Sequence, residues 1–372
     1  MKITLGKEKC LSQAPADIRD WGPWQFPRVF DCGDKIYLEY HISADSAKSY
    51  GNPREWVCSE DKGETWSKCV KGGRLLKNGD MIKLHQMKAI PEKDVELPEI
   101  IGTFYGYGFK RDYFDYNKIP EEYRRWFIER TSPGGPMKIE EVSVELPDFT
   151  MNTSEGVFPT PFFHQIKEGP GGSLWTFLYK HYIKPDGKIS NYGASWFHRS
   201  SDNGRTWEYI SRVPYEFNIE KDPGAAKRYG FGEPDMCFID NSKAFALHRT
   251  TDGTGTGPLY ITWTENTGKS WTKPEYFDDR GVWPQTVVLD NGVILAGYGR
   301  PGLFIRPYQN GKWHDRITVV EPMEYQTDTC SYCALQKISP DTALVFYSDF
   351  NYPDAKGVPR KSIMMRKVFT EA

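Results

Sequence analysis

The sequence lacks any apolar run that approaches the ~18 residues needed to cross a membrane as a helix. It also lacks an excess of charge of either sign, because 48 lysines and arginines stand against 50 acidic residues, for a formal net charge of −2. A nucleic-acid partner would favour a basic surplus. The N-terminal residues lack the apolar stretch of a secretory leader. We therefore expect a cytoplasmic protein with neither a nucleic-acid nor a membrane partner.

Cysteines are few and their spacing shows no disulfide framework. The chain has seven, an odd number, and most are widely separated. Cys330 and Cys333 form a C-x-x-C pair, but no second pair or nearby histidine completes a set of zinc ligands. We predict that both are core residues of a strand, and that the protein uses no metal and no cofactor.

Aromatic residues, glycine and proline are abundant instead. The composition of 15% aromatic residues with 34 glycines and 26 prolines is typical of many short strands joined by turns. One eight-residue pattern occurs three times, at 59–66, 200–207 and 264–271. In each copy we expect an Asp or Asn to accept hydrogen bonds from the turn backbone, a glycine to adopt positive φ, and a tryptophan to pack beneath the hairpin.

This pattern resembles the Asp box of the sialidase superfamily, although the third copy has Asn266 where the family has Asp. The resemblance implies an all-β, six-bladed β-propeller with the boxes at outer hairpins, in one domain over 1–372. The distance from Trp66 to Trp207 is about twice that from Trp207 to Trp271, which predicts an intervening blade without a box. We expect the segment near Ile3 to supply the outer strand of the last blade.

The segment 100–147 departs from this repeat, and we interpret it as an insertion or a degenerate blade. Within 113–130, Pro120 precedes two acidic residues and several aromatic ones, which is typical of the first turn of a helix. We predict a short helix there, on one face of the propeller.

The resemblance extends to a set of polar residues. Sialidases carry an arginine in the first blade, then a glutamate followed by a second arginine, then a third arginine and a tyrosine. The residues that match in order are Arg28, Glu233, Arg249, Arg300 and Tyr332. Two departures are that Pro-Arg-Val replaces the usual Arg-Ile-Pro around the first arginine, and that Asp45 is the one counterpart of the acid in the first-blade loop.

These residues imply an exo-glycosidase that hydrolyses a terminal acidic sugar from a glycan. Three guanidinium groups can hold one carboxylate by charge-assisted hydrogen bonds. A sugar carboxylate repels an acidic nucleophile, so a neutral tyrosine attacks in sialidases. Tyr332 is the candidate nucleophile and Glu233 the base that activates it, with Asp45 as the acid. Trp283 and Gln285 are candidate sugar-binding residues just before an inner strand.

A second set of residues favours a different reaction. His164, His181, Tyr229 and Arg249 fall on or next to predicted inner strands of two successive blades. In a lyase for uronate-containing polysaccharides, an arginine neutralises the carboxylate while a tyrosine or histidine removes the C5 proton. A non-catalytic carbohydrate-binding propeller is a third alternative, because fold alone does not fix function.

Overall fold

The computed structural model describes residues 1–106, 108–161, 164–323 and 328–371. Within these ranges the regular structure consists of strands and of 3-10 helices of three residues each, so the fold is all-β, as the composition predicts. No helix among the described residues is long and apolar enough to span a membrane. The chain forms two compact units. The first comprises Met1–Asp45, Pro53–Leu75 and Arg280–Ala372, and the second comprises Ser46–Asn52 and Leu76–Asp279.

The first unit begins with seven strands: β1 (Lys2–Leu5), β2 (Lys9–Gln13), β3 (Gln25–Asp31), β4 (Ile36–His41), β5 (Arg54–Ser59), β6 (Ser67–Lys68) and β7 (Arg74–Leu75). β3, β4, β5 and β6 form an antiparallel sheet in chain order. Ile36, Leu38 and Tyr40 alternate along β4 and are buried, which is the pattern of a strand that packs one face on the core.

The second unit contains the next sixteen strands: β8 (Met81–Leu84), β9 (Ile90–Pro91), β10 (Gly102–Gly106), β11 (Phe109–Asp115), β12 (Trp126–Thr131), β13 (Met137–Val144), β14 (Thr150–Asn152), β15 (Val157–Phe158), β16 (Ile166–Glu168), β17 (Leu174–Lys180), β18 (Ala194–Ser200), β19 (Thr206–Val213), β20 (Phe231–Phe238), β21 (Ala244–Thr250), β22 (Leu259–Thr264) and β23 (Glu275–Asp278). Two antiparallel sets, β8–β12–β13 and β16–β17–β18–β19, are joined where β13 runs parallel to β19. β20 to β23 form a further sheet, and β10, β11 and β14 form a small one.

The set β8–β12–β13 lies in the chain between the first two eight-residue segments. The spacing predicts an intervening blade without a box at this place in the chain, and the structure has a set of three antiparallel strands there. β10 to β13 all fall within 100–147, so this segment has strands of its own.

The first unit ends with eight strands: β24 (Val282–Val288), β25 (Ile294–Gly299), β26 (Leu303–Gln309), β27 (Lys312–Trp313), β28 (Ile317–Val320), β29 (Ala334–Ser339), β30 (Thr342–Pro353) and β31 (Pro359–Glu371). β1 pairs antiparallel with β31, and Ile3 lies opposite Thr370. The N-terminal strand therefore lies at the edge of the last sheet, which confirms the prediction for the segment near Ile3.

The helix predicted within 113–130 is wrong in type and extent. The described residues form two one-turn 3-10 helices there, Tyr116–Lys118 and Glu121–Tyr123. The remaining 3-10 helices are Ala47–Ser49, Glu92–Asp94, Pro170–Gly172 and Ala225–Lys227. The backbone is extended again at Trp126, because Trp126 and Ile128 are buried on the same face of β12. Packing with the period of a strand outweighs the local signal for a helix start.

The three repeated segments make the same turn in three different sheets, between β5 and β6, β18 and β19, and β22 and β23. Asp202 accepts a hydrogen bond from the backbone N–H of Thr206 at 2.9 Å. Asp61 and Asn266 accept the equivalent bond from the residue four positions later, at 2.8 and 2.9 Å. The glycine of each copy has φ between +74° and +92°. Trp207 is fully buried beneath its hairpin, as the pattern predicts, whereas Trp66 and Trp271 are half-buried.

Candidate active site

Three strands that begin a sheet share one backbone irregularity. At β3, β20 and β24 the register shifts where a non-glycine residue with positive φ precedes a proline: Phe26 (φ 58°), Glu233 (φ 42°) and Trp283 (φ 49°). Such a backbone conformation costs of order 1–3 kcal/mol and is concentrated at functional sites, where a bulge re-aims side chains. Each bulge contains or borders a predicted site residue: Arg28 in β3, Glu233 in β20, and both Trp283 and Gln285 in β24. A proline follows each of these three residues in the sequence, and this is the one signal there that could have indicated the bulges.

In the first unit, two of these bulges deliver aromatic rings onto Tyr332. The indole of Trp283 stacks on the phenol ring, with ring centroids 4.6 Å apart and planes 27° from parallel. Phe26 meets the same phenol edge-on at 4.7 Å. Ser331, the residue before this tyrosine, also has positive φ, 61°. Because Tyr332 covers one face of the Trp283 indole, a sugar that stacks on this tryptophan would need the other face.

Arg300 lies against the same group of rings. Its guanidinium carbon is 5.5 Å from the centroid of the Tyr332 ring and 5.1 Å from that of Trp21. Its Nη2 donates a hydrogen bond to the carbonyl oxygen of Cys330 at 2.6 Å, and the residue is 5% exposed. A desolvated cation above an aromatic face is attracted by about 2 kcal/mol or more. Arg300 is thus held in a fixed position beside the predicted nucleophile.

Arg28 approaches the other member of the stacked pair. Its guanidinium carbon lies 5.8 Å from the centroid of the Trp283 ring. Its Nη1 is 4.0 Å from Oε1 of Glu39, a fully buried carboxylate that also pairs with Arg54 at 3.1 Å. One buried acid therefore fixes two arginines. The first unit brings Arg28 and Arg300 to the Trp283–Tyr332 pair.

Asp45 is tied to this group through Trp21. The indole Nε1 of Trp21 donates to Oδ2 of Asp45 at 2.9 Å, and the N–H of Asp45 donates back to the Trp21 carbonyl at 3.4 Å. Gly22 permits this approach: its φ is 118°, and a Cβ there would lie 2.3 Å from the Asp45 nitrogen. Trp21 therefore contacts both the predicted acid and Arg300. Gln285 instead donates its amide to the carbonyl of Pro284 at 2.9 Å.

In the second unit, Glu233 and Arg249 form a buried ion pair. Arg249 Nη1 lies 2.6 Å from Glu233 Oε2, and the residues are 5% and 8% exposed. Arg249 also donates from Nη2 to the carbonyl of Gly255 at 3.3 Å. The pairing of β20 with β21 places Gly232 opposite Arg249, which brings the two charged side chains together. The guanidinium stabilises the carboxylate charge in a site that excludes water.

His181 is held in one protonation state. Its Nδ1 donates to the carbonyl of Ser190 at 2.8 Å, and its ring stacks on Phe104 at 4.3 Å. Burial, followed by the nearby charges of Lys180 and Arg111, lowers the pKa of His181 to about 4 against the opposing effect of the Ser190 carbonyl. The imidazole is therefore neutral at pH 7, with its proton on Nδ1.

Tyr229 and His164 complete the predicted set of the second unit. A Cβ at Gly253 would lie 2.5 Å from the Tyr229 hydroxyl, and one at Gly106 would lie 3.1 Å from the ring and 3.4 Å from Nη1 of Arg111. The Tyr229 ring thus depends on two glycines for its place near Arg111. His164 is buried and meets the Tyr179 ring edge-on at 5.5 Å.

Two basic residues near His181 and Tyr229, namely Arg111 and Lys180, are absent from the sequence predictions. The adjacency of Lys180 to His181 is the one signal that could have found them. Among the described residues, no group of three His, Cys, Asp or Glu side chains could hold a metal ion. Cys330 and Cys333 are fully buried, as predicted for core residues, but the prediction that they lie in a strand is wrong, because both precede β29.

No protein-family model matches the chain, and no curated protein sequence matches it. Several solved structures are similar. A protein of unknown function from Dyadobacter fermentans is 15% identical over 99% of both chains, with a TM-score of 0.66. The α-L-arabinanase of Penicillium chrysogenum is 16% identical over 97% of this chain and 98% of its own, with a TM-score of 0.53. The NanB sialidase of Streptococcus pneumoniae is 12% identical over 96% and 70%, also at 0.53. These identities show a shared propeller-type fold and no more.

Proposed function

We propose that this protein is a sialidase-type exo-glycosidase, which hydrolyses a terminal acidic sugar of a glycan on a six-bladed propeller. The observation that carries the proposal is the surroundings of Tyr332, whose ring stacks on Trp283 and lies 5.5 Å from the Arg300 guanidinium. The similar fold of an arabinanase and a sialidase supports a glycan as the substrate.

Tyr332 is the proposed nucleophile. Its phenolic oxygen forms a bond to the anomeric carbon while the glycosidic C–O bond breaks and the leaving oxygen takes a proton from Asp45. Water then cleaves the sugar–tyrosine bond. A guanidinium near the phenol ring stabilises negative charge on its oxygen, so Arg300 assists the loss of the phenol proton. Glu233 is the base for that proton in the proposal from the sequence order, and within the second unit Arg249 stabilises its carboxylate.

Arg28, Arg249 and Arg300 are the proposed ligands of the sugar carboxylate. Arg28 and Arg300 flank the Trp283–Tyr332 pair in the first unit. Arg249 belongs to the second unit, where it already binds Glu233. The convergence of all three on one carboxylate is therefore a proposal from the sequence order.

A uronate polysaccharide lyase is the second candidate, and one observation favours it. His181 is neutral with its proton on Nδ1, so its Nε2 is in the form that accepts a proton. Arg111 supplies a cation and Tyr229 a phenol in the same part of the second unit.

One screen separates these functions. The protein is incubated with glycans that end in a sialic acid, a uronic acid or a neutral pentose, and both released sugar and the ultraviolet absorbance of a new C=C bond are recorded. Released acidic sugar without absorbance supports the hydrolase. A rise in absorbance assigns the lyase, and measurable binding without any product assigns a carbohydrate-binding protein.

A further inference from the structure

One face of the small sheet β10–β11–β14 in the second unit has an unusual set of side chains. Arg111 and Tyr113 alternate along β11 and therefore point to the same face. Phe104 lies opposite Arg111 in the register, and Asn152 lies opposite Tyr113. A cation, two aromatic rings and an amide thus share this face.

Lys180 and His181 cover the same face from the end of β17. The His181 ring stacks on Phe104 at 4.3 Å and meets Tyr113 edge-on at 4.9 Å. Lys180 donates from Nζ to Oδ1 of Asn152 at 2.5 Å. These contacts hold the ammonium group of Lys180 near the guanidinium group of Arg111.

Lys180 and Arg111 bring two basic side chains to this face. Burial, and then the charge of Arg111, lower the pKa of Lys180 to about 8. Among the described residues, no carboxylate lies within ion-pair distance of Lys180. The neighbouring acid on β11, Asp112, alternates onto the other face of the strand, where it binds Lys110 and Thr103.

Part of each of the three side chains that would meet a ligand is exposed to solvent. Lys180, Arg111 and Tyr229 are each half-buried, whereas Asn152 beneath them is buried. Gly106 and Gly253 leave the space that the Tyr229 ring occupies next to Arg111. A planar anion there would contact two cations and an aromatic side chain. It would also relieve the repulsion between those cations.

We propose that Lys180 and Arg111 form a subsite that binds the carboxylate of an acidic saccharide, with Tyr229 beside the sugar ring. The saccharide part of this ligand rests on the proposed function, whereas the anion part rests on the cluster alone. The subsite uses none of the residues assigned to hydrolysis, and nothing in its chemistry requires a metal.

Calorimetric titration of the full chain with D-glucuronate, D-glucose, glucose 6-sulfate and inorganic sulfate tests this subsite. We expect glucuronate to bind, glucose to bind at least tenfold more weakly, and Lys180→Met and Arg111→Gln each to weaken glucuronate binding about tenfold or more. Lys110→Met is the matched control, because this lysine lies next to Arg111 on the opposite face, and it should leave binding unchanged.

Several outcomes would overturn the proposal. If wild type and Lys180→Met bind glucuronate with equal affinity, the subsite proposal is wrong. It is also wrong if Lys110→Met weakens glucuronate binding as much as Lys180→Met does. Inorganic sulfate bound as tightly as glucuronate would leave an anion site without saccharide recognition. If Lys180→Met does not fold, as judged by circular dichroism, Lys180→Arg takes its place and should retain binding while Arg111→Gln loses it.

Failure of the proposed function gives a different result. The protein could bind glucuronate through Lys180 and yet hydrolyse no glycan. That result would support the subsite and contradict the proposed hydrolase function. The protein could instead hydrolyse a glycan with a KM that neither Lys180→Met nor Arg111→Gln changes. That result would support the hydrolase function and contradict the subsite.

Discussion

Trp283 stacks on Tyr332, with ring centroids 4.6 Å apart, and it reaches this position from a bulge in which its own φ is 49°. A non-glycine residue in this conformation must be held there by its surroundings. The contact fixes the phenol between Trp283 and Phe26. In the proposed function, this fixed orientation reduces the reorganisation that Tyr332 needs before it attacks.

Tyr332→Phe is expected to abolish hydrolysis while the fold and ligand binding stay largely intact. The loss in kcat should be ~10³-fold or more, because tighter binding cannot replace an absent nucleophile. Steady-state kinetics on the best substrate of the glycan screen measures it. Tyr352→Phe, on β30 of the same unit, is the control and should keep full activity. Retained turnover in Tyr332→Phe would remove the nucleophile assignment.

Arg249→Met is expected to lower the free energy of unfolding by about 3–5 kcal/mol, because it removes the cation that lies 2.6 Å from the buried Glu233 carboxylate. Glu233→Gln in the same background should recover much of this loss. A double-mutant cycle by urea denaturation gives the coupling energy. Additive effects of the two substitutions would contradict a tight ion pair.

Asp202→Ala should destabilise the protein by about 1–3 kcal/mol. It removes the acceptor for the N–H groups of Arg205 and Thr206 and for the Thr206 hydroxyl. Asp202→Asn is the matched variant, because Asn266 makes the equivalent turn in the third copy. It should cost less than half as much in thermal or urea denaturation. Equal losses in both variants would show that the carboxylate charge, rather than the turn geometry, is required.

Acid should destabilise the protein through its buried neutral histidines. Burial lowers the pKa of His198 to about 4, although its hydrogen bond with the Glu145 carbonyl opposes this. The unfolded chain takes up the proton near pH 6.5 and the folded chain only near pH 4, so stability is full above 6.5 and is lost as pH falls towards 4. Between pH 7 and pH 4.5, the free energy of unfolding from urea titrations should fall by up to a few kcal/mol less in His198→Gln than in wild type. If the free energy of unfolding depends on pH in the same way in wild type and His198→Gln, the prediction is wrong.

The affinity for glucuronate should fall as pH rises through 8. The pKa of Lys180 is lowered to about 8, so its ammonium group loses the proton above that pH, whereas His181 is already neutral at pH 7. Among the described residues, Tyr113, Asn152 and Tyr229 also belong to this cluster, and none of them is cationic. Calorimetry at pH 7 and pH 9 should show a drop of several-fold. Lys180→Arg should bind equally at both pH values, and a pH-dependence that persists in this variant would assign the titration to another group.

Part of this fold could be predicted from interactions between residues that are close in the sequence. The eight-residue turns are closed by bonds between residues four positions apart, such as Asp202 and Thr206, so their sequence contains every atom that the turn needs. The strand near Ile3 could be predicted because a sheet requires a last edge strand, and β1 supplies it against β31. The order of Arg28, Arg300 and Tyr332 suggested a group that the first unit does bring together around Trp283.

Other features depend on residues that are distant in the chain. A helical turn does follow Pro120, as the sequence predicts, but it is a single 3-10 turn. The chain then returns to a strand, because Trp126 and Ile128 bury their side chains on one face of β12. The pairing of Glu39 with both Arg28 and Arg54 could not be read from any motif.

The sequence by itself determined the all-β class, the repeated turns and the types of residue available for a site, because turn chemistry and strand patterning act over a few neighbouring residues. Only the tertiary structure decided which charges meet. It assigned Arg249 to Glu233 and placed Lys180 beside Arg111. Coulomb energies and desolvation depend on distance and burial in space, and neither quantity is encoded in sequence spacing.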